Sequence, residues 1–224
     1  MKTMHIDDVL DRAHVVSLPL AVRFRGITTR EALLIDGPAG WGEFAPFLEY
    51  GPAESAAWLR AGIEAAYEGF PEPVRDSIEV NATIPAVPAR GVPAVVERYP
   101  GCRTFKIKVA EKGHTLADDA ARVRAVRDTI TQRGEIPILR VDANGGWTVE
   151  EAVQAAQMMM PLDYMEQPCA TTEELAQVRG RLMRAGLFVR VAADESIRKV
   201  ADPYRVAELQ AEDVAGVKTA PLGG

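Results

Sequence analysis

Cysteine is nearly absent: Cys102 and Cys169 are the only two in 224 residues. They lie far apart, and neither belongs to a CxxC pair or a histidine cluster. That excludes a disulfide framework and points to a reduced chain. Positive charge is also short, with 26 Lys and Arg against 32 Asp and Glu and a net charge of -6. A nucleic-acid partner, which needs a basic surface, is therefore a poor fit. A small anionic substrate is not excluded, because a metal and a few lysines reverse the sign locally. No apolar run approaches the ~20 residues of a membrane helix. Residues 1–11 are polar and acidic, which is not the pattern of a signal peptide, and no glycine-rich phosphate loop is found. What is there, 47% hydrophobic and 26% charged residues, is the composition of a soluble, cytoplasmic protein of one large domain or two modest ones.

The first third reads as strands followed by a helix. Residues 15–24 and 31–35 are rich in Val, Leu and Ile, and Gly26, Gly37, Gly40 and Gly42 punctuate a small antiparallel meander. Gly51-Pro52 opens a helix over 53–67, because proline costs nothing in a first turn, and Pro71 and Pro73 suit a linker. The segment 18–30, with Arg23, Arg25 and Gly26, is a candidate lid. From residue 77 short apolar runs alternate with helices. Strands are predicted over 78–84, 104–109, 138–142, 164–166, 189–194 and 214–218. Thr115 can cap a helix whose apolar positions Leu116, Ala120, Val123, Val126 and Ile130 step by three or four. Thr148 with Glu151 and Thr171 with Glu174 are capping-box signatures, and Asp202-Pro203 starts one more helix. This alternation implies right-handed parallel βαβ units. A (β/α)8 barrel needs eight strands, so six read either as an open parallel sheet or as a barrel truncated after strand six. The predicted organisation is α/β: an α+β capping domain over 1–76, then a barrel domain over 77–224.

The positions of charged residues favour the barrel. Lys106, Lys108, Asp142, Glu166, Asp194 and Lys218 each fall at or near the C-terminal end of a predicted strand, one βα unit from the next. In a parallel barrel all such ends open on one rim. Three carboxylates on neighbouring strands make an oxygen site for a hard cation such as Mg²⁺; any one alone reads as a solvated or helix-capping acid. Lys106 and Lys108 are two apart and share a face, which leaves Phe105 and Ile107 for the helix side. A lysine beside a metal and a second cation can have the lowered pKa that a general base needs. Lys218 falls across the barrel from Lys108, so the two lysines bracket a substrate carbon. Arg140 shares parity with Asp142, and a structural salt bridge and a substrate contact suit it equally. Asn144 lies just beyond Asp142, where it can bond substrate or support the metal site. His5, His14 and His114 fall outside the rim.

At these residues the chain resembles the muconate-lactonizing branch of the enolase superfamily. The resemblance rests on Lys106-Ile107-Lys108, Val141-Asp142-Ala143-Asn144, Met165-Glu166-Gln167-Pro168, Ala193-Asp194-Glu195-Ser196 and Val217-Lys218, in that order. Gly40-Trp41-Gly42-Glu43-Phe44-Ala45-Pro46 is similar to the capping-domain segment, and Val80-Asn81-Ala82-Thr83-Ile84-Pro85 to the first barrel strand. Within the branch the chain is most similar to the actinobacterial dehydratases of menaquinone biosynthesis. The resemblance implies an enolase-like capping domain and a barrel whose last two strands are not in this chain. It implies Asp142, Glu166 and Asp194 as ligands of Mg²⁺, with Mn²⁺ able to serve. It also implies Lys108 as the acid/base, Lys218 as a stabilising cation and Lys106 as a tuning charge. The substrate would be a small anionic carboxylate. N-acylamino acid or dipeptide racemisation and muconate-type cycloisomerisation on the same scaffold stay open, as does a non-catalytic small-molecule binding protein.

Overall fold

The computed structural model describes residues 5–24, 27–198 and 202–224; Arg25 and Gly26 of the candidate lid lie outside them. By contacts the chain divides into two units. One gathers the described residues of Met1–Asp76 with Arg198 and Val217–Gly224, the other Ser77–Ile197 with those of Ala201–Gly216. The segment Val217–Gly224, assigned to the barrel domain from sequence, thus groups with the first unit.

In the first unit a short helix α1 (Ile6–Leu10), not foreseen from sequence, precedes an antiparallel sheet of β1 (Ala13–Phe24), β2 (Ile27–Gly37) and β3 (Gly40–Phe44) in the order β1-β2-β3. This is the expected meander. Helix α2 (Pro52–Tyr67) packs on β3, and the glycines explain how closely. A Cβ on Gly42 would run into the carbonyl of Gly62, and one on Gly37 into that of Ala66, so both positions must lack a side chain. Ile35, Ala66 and Val9 form the small core between sheet and helices.

The second unit is a six-stranded parallel sheet in the order β4-β5-β6-β7-β8-β9. The strands are β4 (Ala82–Ile84), β5 (Thr104–Lys108), β6 (Ile138–Asp142), β7 (Tyr164–Glu166), β8 (Arg190–Ala193) and β9 (Val214–Ala215). The helices are α3 (Val92–Val96), absent from the sequence reading, α4 (Leu116–Thr131), α5 (Val149–Met159), α6 (Thr172–Arg184) and α7 (Asp202–Glu208). Threonine side chains cap α4, α5 and α6 through complete capping boxes, Thr115 with Asp118, Thr148 with Glu151 and Thr171 with Glu174. Phe105, Ile107, Val141, Met165 and Val191 are fully buried in one core with Val123, Val126 and Ile130 of α4. The alternate residues of β5 and β6, Lys106, Lys108, Arg140 and Asp142, are thereby left for the opposite face.

Four strands are shorter than predicted, β5 and β8 by one or two residues and β4 and β9 by more. β4 starts at Ala82, because Ile78 and Val80 are 74% and 76% exposed and pair with no neighbouring strand. β9 ends at Ala215, and Lys218 is not a strand residue but the N-cap of α8 (Thr219–Leu222). Helix α8 is tied to α2 of its own unit by Arg60, which donates to the carbonyls of Gly223 at 2.7 Å and Leu222 at 3.1 Å.

An ion cluster joins the middle of β6 to the starts of β7 and β8. Asp163 accepts from Arg140 at 2.9 Å and from Arg190. Burial alone would raise the pKa of Asp163, but these two arginines outweigh it and hold the carboxyl below its ordinary 3.8. A depressed carboxylate pKa gives stability that is complete at neutral pH and is lost as pH falls below about 4 toward the folded-state value. Asp163→Asn should cost about 1–2 kcal/mol at pH 7, the charge-assisted bonds being partly screened. The cost should shrink toward zero in the acid limb of a melting-temperature profile. A pH-independent difference would show that the ion cluster is not its source.

A candidate active site at the strand ends

The register of the parallel sheet builds the site. Lys108 is aligned with Asp142, and Asp142 with Glu166, so one row across β5, β6 and β7 carries a lysine and two carboxylates. One layer deeper, Lys106 is aligned with Arg140 and Arg140 with Tyr164. Asp194 follows directly on β8. Asp142, Glu166 and Asp194 are all buried, which is unusual for carboxylates unless they are paired or hold a cation.

Lysine ammonium groups lie among the acids. Lys106 Nζ sits 2.5 Å from Glu166 Oε1 and 2.9 Å from Asp142 Oδ2, and Lys108 Nζ sits 2.5 Å from the same Asp142 oxygen. Lys108 also donates to Asn144 Oδ1 at 2.7 Å. The electrostatics follow. Burial would raise Asp142, but Lys108 and Lys106 overcome it and hold the carboxyl below its usual range. Burial raises Glu166, and Asp142 and Asp194 add to the rise against the opposing bond from Lys106. Burial would lower Lys106, yet its bonds to Glu166 and Asp142 prevail and its pKa is raised. The carboxylates around Lys106 favour its ammonium, which suits a tuning charge.

Several of the residues singled out from sequence meet here, and others do not. Lys106, Lys108, Asp142, Asn144 and Glu166 share one hydrogen-bonded cluster. Arg140 takes the structural role: it bonds Asp163 and, at 2.9 Å, Asn81 Oδ1, and it lies over the Tyr164 ring at 4.8 Å. Lys218 belongs to the other unit. Among the described residues no three His, Cys, Asp or Glu side chains converge at metal-holding distance. The Lys106 ammonium lies between Asp142 and Glu166, at 2.9 Å and 2.5 Å. The donor set, three buried carboxylates on adjacent strand ends, fits a hard divalent ion.

Sequence reasoning missed the residues that seat these acids. Gln167 is fully buried at φ +37°, a left-handed conformation uncommon outside glycine. Its Oε1 accepts from the backbone N–H of Asp194 and of Ser196, both at 3.1 Å, and its Nε2 donates to Ser196 Oγ at 2.8 Å and the Cys169 carbonyl at 2.9 Å. One amide thus locks the exit of β7 to that of β8. Glu195 accepts from Asn144 Nδ2 at 3.0 Å and links the exits of β6 and β8. Both lie inside the quoted motifs, so the signal was present without the role. Cys169 is buried, and burial pushes its thiol up to about 12, so it is unsuited to act as a nucleophile. No described helix is long and apolar enough to cross a membrane.

Comparison with known proteins agrees with this architecture. Residues 15–66 match the family description "Enolase N-terminal domain-like" and residues 91–224 "Enolase C-terminal domain-like". The o-succinylbenzoate synthase of Mycolicibacterium smegmatis is 57% identical over 222 residues, and that of Mycobacterium leprae is 58% identical; each alignment covers 98% of this chain. The chain spans 66% and 63% of those relatives, about two thirds of their length. Among solved structures, the Bacillus subtilis L-Ala-D/L-Glu epimerase matches with a TM-score of 0.75 at 23% identity, covering 95% of this chain and 74% of the epimerase. An o-succinylbenzoate synthase from Thermosynechococcus elongatus, with Mg in its active site, matches with a TM-score of 0.67 at 20% identity over 93% of this chain and 75% of its own. At those identities the likeness is one of fold.

Proposed function

Because the chain belongs to the enolase-like family through both its N-terminal and its C-terminal domain, we propose that it acts as an o-succinylbenzoate synthase. This lyase removes water from 2-succinyl-6-hydroxy-2,4-cyclohexadiene-1-carboxylate in menaquinone biosynthesis, in the cytoplasm. The observation that carries the reading is the 57–58% identity to curated synthases across 98% of the chain. The row of Lys108, Asp142 and Glu166 supports it.

The chemistry demands concentrated positive charge, because a carbon acid beside a carboxylate is very weak and its loss of a proton leaves two negative charges. Asp142, Glu166 and Asp194 would hold Mg²⁺, which when bound neutralises part of that charge. Having released its own ammonium proton to solvent, Lys108 takes the α proton as the free amine, and the C–H electron pair moves toward the carboxylate. The proton now on Lys108 is then given to the departing hydroxyl, which leaves as water while the electron pair returns to form the ring's new double bond. Lys106, an ammonium beside Asp142 and Glu166, contributes fixed charge. By the family resemblance, Lys218 would be a second fixed cation. Asn144, bonded to the Lys108 Nζ at 2.7 Å, restricts where that amine points.

Parallel assays of the protein with Mg²⁺, one on the cyclohexadiene carboxylate and one on N-succinyl amino acids, test this reading. The expected result is aromatic product from the first and slower or no racemisation in the second. Racemisation without dehydration would assign the site to a racemase on the same scaffold.

A further inference from the structure

We infer that the buried Asp119–Arg122 pair on α4 is a positioning device for Lys108. The inference rests on Lys108 being the proton-transfer group of the proposed reaction. Both side chains are 1% exposed, and Arg122 Nη1 lies 2.6 Å from Asp119 Oδ1. A buried pair of this kind is weak evidence of stability, since apolar residues of the same volume often serve as well. The bonds that the pair makes outside itself are what need a reason.

Two of those four bonds converge on the exit of β5. Arg122 Nη1 donates to the carbonyl of Lys108 at 3.0 Å, and Asp119 Oδ2 accepts the backbone N–H of Ala110 at 2.8 Å. Between them, the N–H of Val109 donates to the carbonyl of Asp142 at 3.0 Å. Three consecutive residues are thus each held by a main-chain atom, two by the ion pair and one by β6. Arg122 Nε also donates to the carbonyl of Val87 at 2.6 Å, and Nη2 to His114 Nδ1 at 2.8 Å. Those bonds fix the guanidinium plane from the β4 side and from the loop that leads into α4.

The chain needs such a clamp because its path here is unfavourable. Ala110 stands at φ +57°, a left-handed conformation that a residue with a Cβ resists. It is also crowded: a Cβ on Gly146, in the turn after β6, would lie 2.8 Å from the Ala110 Cβ. Without the pair, residues 108–110 can relax toward an ordinary extended exit. That would rotate the Lys108 side chain away from Asp142 and Asn144. Lys106, two residues earlier and bonded to two carboxylates, would keep its place.

The test uses Arg122→Lys and Arg122→Met in the full chain, studied below their melting temperatures. Arg122→Lys keeps a cation beside Asp119 but cannot bond three carbonyl and imidazole acceptors at once. Lysines are acetylated competitively with acetic anhydride, without substrate or metal, and each site is read by peptide mass spectrometry. Lys108 should react several-fold faster in both variants, while Lys106 reacts as in the parent protein. A purely structural pair would lower the melting temperature and leave Lys108 labelling unchanged in the folded variants. That result overturns the inference, and Arg122→Lys alone decides it if Arg122→Met does not fold. In the Mg²⁺-loaded protein, the kcat for α-proton exchange should fall on the order of 10²-fold with KM little changed, as for a base displaced by about 1 Å. Absence of exchange in the parent protein would count against the proposed function, while the labelling still decides the role of Arg122.

Discussion

Asp142→Asn, Glu166→Gln and Asp194→Asn should each weaken Mg²⁺ binding on the order of 10²-fold or more, since disturbing even an outer partner of a ligand costs 10–100-fold. The substitutions keep side-chain volume, so each removes a charged oxygen without opening a cavity. Asp142 should have the largest effect. It is fully buried, its Oδ2 receives both lysines, and its Oδ1 accepts the N–H of Asn144 at 3.0 Å. Its loss leaves two ammonium groups without their shared partner, a destabilisation of up to about 3 kcal/mol. Glu166 adds a pH signature. Its carboxyl is held above the ordinary 4.5 and that of Asp142 below 3.8, so as pH falls Glu166 takes up a proton first. Mg²⁺ affinity should begin to fall on the acid side through Glu166, and Glu166→Gln should flatten that onset. Isothermal titration calorimetry at several pH values reads both effects. Unchanged affinity in all three variants would remove the metal site.

The strand-end acids were legible because a parallel sheet puts every strand's C-terminus on one edge, and because period-two alternation sorts β5 into Lys106 and Lys108 on one face and fully buried Phe105 and Ile107 on the other. The capping boxes at Thr148 and Thr171 were legible for a similarly local reason, since their partners lie three residues away. What failed to show in the sequence depends on distant neighbours. Ile78 and Val80 look like strand residues, but no partner covers them. Lys218 follows an apolar residue, Val217, as Lys108 follows Ile107 and Asp142 follows Val141, yet the strand stops at Ala215 and a short helix begins. Arg122 and Asp119 sit among charged residues of an amphipathic helix, where solvated side chains are the expectation. Their burial is set by Val87, Lys108 and Ala110, which the fold brings to them. Arg140 had the right parity for the site, but Asp163 and Asn81 claim its guanidinium.

The most demanding expectation concerns proton transfer. If Lys108 is the one group that removes the α proton, Lys108→Ala should lose turnover by about 10²–10⁴-fold or more, the usual contribution of a general acid–base group. Lys218 differs, because it would act only through its charge. Lys218→Arg should retain part of the dehydration and Lys218→Ala should lose most of it. A racemase would need both lysines as bases, one on each face of the carbon, and each single variant would then keep exchange for one enantiomer. Turnover alone does not separate loss of the base from loss of charge, whereas isotope exchange does. The direct measurement is deuterium incorporation at the α carbon of the cyclohexadiene carboxylate in D₂O with saturating Mg²⁺, followed by NMR for the parent protein and for Lys108→Ala. The account predicts rapid exchange in the parent and none in the variant, with Mg²⁺ affinity retained. Exchange at the parent rate in Lys108→Ala would contradict it.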